Sequence, residues 1–148
     1  MDHVLVPIDN SKPARAALEY ALEHFPDARF TLLYVADPMI DVSRHRAYPG
    51  YTEGRGDKSE AKRGESLLES LADTAHEGTT VETALEVGEP ARTIVRYADD
   101  HDVDGIVIGS HGRDGIARYL LGSVAETVVR RAGVPVTVVR GSYRANRH

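Results

Sequence analysis

The stretch GIVIGSHG at residues 105–112, with LGSV following at 121–124, decides the fold. The apolar run Gly105–Ile108 is typical of a buried strand, and the glycines after it indicate a loop that another group approaches closely. Ser123 and Glu126 have the spacing of a capping box, which predicts a helix capped by the serine hydroxyl. A helix amino terminus offers free N–H groups to an anion. The segment therefore predicts a strand, a loop and a helix start arranged around a phosphate.

On either side of this stretch, strand-like and helix-like segments alternate. Strands are predicted at Val4–Ile8, Phe30–Val35, Val81–Val87, Ile106–Ile108 and Val136–Val139. Apolar spacing predicts helices over 14–25, 67–75, 91–98 and 122–132. Ser11 and Pro90 stand at two helix starts, and Gly78 is placed to close the second helix. The alternation predicts an α/β fold, a single domain whose five-stranded parallel sheet has helices on both faces.

The spacing G-x2-G-x9-G-S, which begins at Gly109, resembles the ATP-binding signature of the universal stress protein family. The blocks Val4–Asp9 and Val134–Val139 are similar to the first and last strands of that family. The resemblance thus spans nearly the whole chain and points to the ATP-binding subgroup. It implies the strand order 3-2-1-4-5 of a Rossmann-like, adenine nucleotide alpha hydrolase-like fold.

The resemblance also implies which residues bind the nucleotide. It assigns ATP, with Mg or Mn, to the edge of the sheet and gives no catalytic residue; the metal ligands stay unknown. The residues carried over as nucleotide-binding are Pro7, Ile8, Asp9, Val35, Gly109, Gly112, Gly122, Ser123 and Val124.

Several of these residues have a purely structural interpretation as well. Asp9 suits a helix entry, and on residue type alone that interpretation is favoured over a contact to ribose or to a metal. Val35 has the pattern of a core residue, so its backbone contact to adenine rests on the resemblance. An isolated G-x-x-G at Gly109 is an ordinary turn. Ser123 is interpreted as a helix cap, which leaves its N–H and that of Val124 free to hold an anion.

Composition excludes several function classes. The chain has 148 residues, with 18 basic against 23 acidic side chains and a net charge of -5, which argues against nonspecific binding to nucleic acid or to an anionic membrane. It has no cysteine, which excludes disulfides and thiolate metal sites. No apolar run has the length of a signal-peptide core or a membrane span. We therefore expect a cytoplasmic protein.

The sequence also predicts the domain bounds, a long irregular segment and an exposed sheet edge. We expect a universal stress protein domain over 1–141 and a polar, frayed tail over 142–148. Residues 37–58 have no sustained period and are either disordered in the free protein or a lid that closes over a ligand. The apolar strand Val136–Val139 is expected to lie at a sheet edge, and the resemblance implies a homodimer across it.

Other chemistry finds little support in the sequence. There is no G-x-x-x-x-G-K-[ST] phosphate loop, no H-E-x-x-H metal spacing, and Ser110 beside His111 does not have the register of a nucleophile elbow. The sequence predicts an ATP-binding stress-response or regulatory module. Two alternatives stay open: a slow ATP hydrolase or nucleotidyl-transfer enzyme, and a dimeric protein-interaction module that uses no nucleotide.

Overall fold

The protein is described here from a computed structural model that covers residues 1–40, 59–111 and 121–144. Strands and helices alternate along it as the sequence predicts. They are β1 (His3–Ile8), α1 (Lys12–His24), β2 (Arg29–Ala36), α2 (Glu60–Ala72), β3 (Val81–Val87), α3 (Pro90–Asp100), β4 (Gly105–Gly109), α4 (Ser123–Arg131) and β5 (Val136–Val139).

The strands form one parallel sheet in the order β3-β2-β1-β4-β5, which confirms the expected order. Strand order reverses between β1 and β4. There β1 pairs with β4 only at Val4↔Gly105 and Leu5↔Ile106, whereas it pairs with β2 over its whole length. Pro7 lacks an N–H for a ladder bond, which fits the loss of pairing to β4 after Leu5. The two strands therefore separate toward their carboxyl ends.

Both faces of the sheet are covered, as predicted. Val4 and Val6 of β1 pack in the apolar cluster under α1 and α2, while Leu5 packs in the cluster under α3 and α4. All three side chains are 0% exposed. Alternate residues of a buried strand point to opposite faces, so a continuous apolar run serves both layers.

Side chains define three of the helix starts. Ser11 caps α1 by accepting a hydrogen bond from the Ala14 N–H at 3.2 Å, as its position predicts. Ser59 caps α2 in the same way. Pro90 is the first residue of α3, and the preceding Glu89 accepts from two backbone amides.

The end of α2 differs from the prediction. The helix ends at Ala72, so Ala75 lies outside it and Gly78 does not close it. Asp73 is the C-cap residue, and its N–H donates to the carbonyl of Glu69. Gly78 instead supplies a positive φ of 91° in the turn before β3, a conformation that suits a residue without Cβ.

The described part of the tail, residues 142–144, contacts the domain through one side chain. Tyr143 packs on α1, and its hydroxyl donates a hydrogen bond to Glu23 Oε2 at 2.8 Å. Within the described ranges, no helix combines the length and the apolar character that crossing a membrane requires.

Candidate functional site

The candidate site lies at the carboxyl ends of β1 and β4, where the strand order reverses. Open parallel α/β sheets bind ligands at such a reversal, because the loops leave in opposite directions and open a crevice. Two backbone hydrogen bonds organise the loop after β4. Ser110 N–H donates to the Val139 carbonyl at 2.8 Å, and Gly122 N–H donates to the Ser110 carbonyl at 2.7 Å. The start of α4 is thereby tied to the ends of β4 and β5.

The cap of α4 differs from the predicted capping box. Gly122 is the N-cap residue and Ser123 is the first residue of the helix, so the serine hydroxyl does not cap it. The physical reason is the bond from Gly122 N–H to Ser110, which holds Gly122 in an extended conformation ahead of the first turn. Glu126 does not reach back either; its carboxylate contacts Arg130 at 2.8 Å.

The amino terminus of α4 therefore differs from those of α1, α2 and α3. Each of those helices has a side-chain cap, whereas the N-cap of α4 has no side chain to offer. The first backbone bond of α4 runs from Glu126 N–H to the Gly122 carbonyl at 2.9 Å. The amides of Ser123, Val124 and Ala125 precede that bond and have no acceptor within the helix. This terminus can hold an anion through backbone N–H groups and the helix dipole.

The two described glycines of the motif are required by packing within the chain. A Cβ on Gly122 would lie 2.9 Å from His111 Cα, and a Cβ on Gly109 would lie 2.7 Å from the Pro13 carbonyl carbon. Neither contact leaves room for a side chain. Gly109 thus lets the first turn of α1 pack on the end of β4, and Gly122 lets α4 begin directly on the loop.

Asp9 lies directly after β1, beside this loop in the sheet order. Its Oδ1 is buried and accepts no hydrogen bond within the described part of the chain. A buried carboxylate oxygen normally has a donor or a cation beside it. Asp9 is therefore poised to accept from a hydroxyl group or to contribute to cation binding.

The remaining predicted residues are distributed along the same edge. Pro7 and Ile8 are buried in β1, and the half-buried Val35 lies near the end of β2 and packs in the cluster under α3 and α4. Val124 is half-buried in that cluster, while Ser123 is exposed. Gly112 lies outside the described residues.

Two contacts at the site were not predicted from the sequence. Pro13 packs against Gly109, and the Ser110 hydroxyl lies 3.3 Å from His111 Nδ1. From the sequence, Pro13 indicates only a helix start, and no neighbouring residue indicates its contact with β4. The described residues hold no group of three or more side chains that could bind a metal ion. A cation at Asp9 would therefore need ligands from the bound molecule as well.

These features define the class of the protein: a doubly wound α/β domain in which a helix without a side-chain cap begins at the strand reversal. A profile of the Universal stress protein family matches residues 1–140. The Universal stress protein YxiE of Bacillus subtilis is 33% identical over 144 residues, which cover 93% of this chain and 97% of that protein. The chain belongs to the universal stress protein family.

Solved structures agree with this assignment. The universal stress protein UspA from Lactobacillus plantarum matches with a TM-score of 0.71 and 28% identity, covering 94% of this chain and 97% of its own. A universal stress protein in complex with cAMP matches with a TM-score of 0.67 and 27% identity, covering 95% and 98% respectively.

Proposed function

We propose that this protein binds an adenine nucleotide, ATP in particular, and acts as a nucleotide-binding module in a stress response or its regulation. The observation that carries the proposal is the amino terminus of α4, which has no side-chain cap and lies at the strand reversal. Phosphate oxygens are suited to such a terminus, because they accept from several backbone amides and favour the positive end of the helix dipole.

The residues around this terminus suit the other parts of a nucleotide. The amides of Ser123 and Val124 would hold the phosphates. Asp9 would accept from the ribose hydroxyls or, together with phosphate oxygens, hold Mg or Mn, and its unpartnered Oδ1 fits either role. The backbone at Val35 would meet the adenine edge, by likeness to the family. The complex of a related universal stress protein with cAMP supports an adenine nucleotide as the ligand.

Titration calorimetry of the purified protein with ATP, in the presence of Mg or Mn, tests the proposal. We expect a dissociation constant of about 1 mM or lower. Mass spectrometry of small molecules released on denaturation identifies any nucleotide that stays bound through purification. Absence of binding with both metals would refute the proposal. Phosphate release at about 1 to 1000 per second would instead assign the protein to the ATP hydrolases.

A further inference from the structure

The chain after β5 forms a C-terminal strap, residues 140–144, that docks on α1. A turn brings it back, in which Tyr143 N–H donates to the Arg140 carbonyl at 3.0 Å. The Tyr143 ring then meets the Tyr20 ring edge-on, with centroids 5.4 Å apart, and its hydroxyl bonds to Glu23. The strap thus has a specific docking site made of an aromatic contact and a charge-assisted hydrogen bond.

The strap begins at the candidate nucleotide site. Val139, the last residue before it, accepts the hydrogen bond from Ser110 N–H in the loop after β4. Ser110 in turn accepts from Gly122 N–H at the start of α4. A direct chain of backbone hydrogen bonds therefore connects the anion-accepting terminus to the root of the strap.

A second connection passes through Pro13 in the first turn of α1. A Cβ on Gly109 would lie 2.7 Å from the Pro13 carbonyl carbon, and a Cβ on Gly141 would lie 3.2 Å from Pro13 Cγ. Gly109 belongs to the site and Gly141 to the strap. Pro13 therefore packs between them, without space for an added methyl group beside Gly109. Because closely packed interiors transmit displacements, a shift of Gly109 would move Pro13 against Gly141.

We propose that docking of the C-terminal strap on α1 is energetically coupled to the packing of the site at Gly109 and Ser110. A nucleotide bound there, as the proposed function requires, then holds the strap closed, and release of the strap weakens nucleotide binding. The sign follows from the structure, in which the docked strap and the assembled site occur together. A ligand that binds this arrangement stabilises all of it.

A purely structural role for Tyr143 gives a different expectation. If the ring only covered apolar surface of α1, its loss would lower the free energy of unfolding without changing nucleotide affinity. If strap docking and nucleotide binding are coupled, each must change the equilibrium constant of the other by the same factor, because linkage is reciprocal.

The experiment measures strap release and nucleotide affinity in the full chain. Trypsin cleavage at the Arg140–Gly141 bond, followed by mass spectrometry, reports release of the strap. Calorimetry with ATP and Mg reports affinity. For Tyr143→Ala we expect affinity to fall about fivefold or more, with a smaller loss for Tyr143→Phe, and for the parent protein we expect saturating ATP to slow cleavage by a similar factor. Tyr97→Ala is the matched control, because this ring of α3 stacks on His101, the residue that follows the helix, and makes no contact with Tyr143; it should leave affinity unchanged.

A nucleotide-free arm separates this inference from the proposed function. Gly109→Ala should displace Pro13 and speed cleavage at Arg140 in the absence of ligand. If Gly109→Ala does not fold, Pro13→Ala replaces it in the same assay. Unchanged cleavage in the folded variant would overturn the coupling, as would ATP affinity in Tyr143→Ala equal to that of the parent. If the parent binds no nucleotide, the proposed function fails, and the nucleotide-free arm alone decides whether strap and site are coupled.

Discussion

Asp9 Oδ1 is buried with no hydrogen-bond donor in the described part of the chain, and we expect this to lower the free energy of unfolding of the unliganded protein. An unsatisfied buried acceptor costs about 1–3 kcal/mol. We predict that Asp9→Asn raises the free energy of unfolding by about 1 kcal/mol and weakens binding of ATP with Mg at least about tenfold. Urea unfolding and calorimetry measure the two effects.

The matched control is Asp37→Asn at the same edge of the sheet. Asp37 Oδ1 already accepts from the Met39 N–H at 2.9 Å, so this change should bring no gain in stability. A loss of stability in Asp9→Asn with unchanged ATP affinity would assign Asp9 to the helix entry, the structural interpretation of its residue type.

Ser123 allows a test of the α4 terminus by charge alone. Ser123→Asp places a carboxylate in the first turn, where it should stabilise the helix by about 0.3–1 kcal/mol and repel phosphate. We predict that ATP affinity falls about tenfold or more in Ser123→Asp, while the uncharged Ser123→Asn binds nearly as the parent does. Calorimetry on both variants, with thermal unfolding as the check on folding, measures this. Equal affinities for the two variants would mean that the phosphates bind elsewhere.

At the scale of the elements, the strands were predictable and some helix ends were not. The bounds of β3, Val81–Val87, agree with the prediction: a valine stands at each end, and Thr80 and Gly88 flank them. The end of α2 was missed because Ala75 continues the helical spacing past the last turn. The cap of α4 was misassigned to Ser123 because the bond from Gly122 to Ser110, which decides it, joins residues from different segments.

The docking of Tyr143 had no local sign at all. Its partner Glu23 is 120 positions away in the sequence, and the segment around Tyr143 is polar. For the candidate site, the sequence indicated the strand, the loop and the helix start. It did not indicate that a side chain at Gly109 would clash with Pro13, or one at Gly122 with His111. These clashes arise only when α1 and α4 pack against the sheet.

The contact between strap and helix predicts an unusual titration. Desolvation against α1 and the hydrogen bond to the Glu23 carboxylate raise the pKa of Tyr143 to about 12. The folded state thus favours the neutral phenol, so strap docking contributes its full stability below the ordinary pKa of 10.0 and loses it as the pH rises toward about 12. We predict that the tyrosinate absorbance of the parent minus that of Tyr143→Phe has its midpoint near the higher value. A midpoint near 10, with circular dichroism reporting a folded protein, would contradict the docked geometry.

For the whole molecule, the two edges of the sheet differ in how well they resist association. The β3 edge ends in the exposed Val87, but it also carries the exposed charges Glu82 and Glu86, which discourage pairing with another strand. The β5 edge carries only half-buried, uncharged side chains at 136–138, and Val129 of α4 is 45% exposed. We therefore expect association through β5 to bring the uncharged side chains of this strand into the interface.

The hydrogen-bond register of β5 selects the variant that tests such a dimer. Ile106 N–H donates to the Pro135 carbonyl and Ser110 N–H to the Val139 carbonyl, so residues 135, 137 and 139 bond to β4. In a parallel ladder the intervening residues point their N–H and C=O groups the other way, toward the free edge. Thr137→Pro would therefore break the β4–β5 ladder within one subunit, whereas Val138→Pro removes a donor from the edge alone.

We predict a homodimer across this edge that Val138→Pro dissociates while the subunit stays folded. Val138→Ala is the matched control, because it removes most of the same side chain but keeps the edge N–H, and it should remain dimeric. Light scattering at tens of micromolar gives the mass of each variant, and circular dichroism gives its folding. A parent protein with the mass of a monomer would refute the dimer. A Val138→Pro protein that stays dimeric would locate the interface away from the β5 edge.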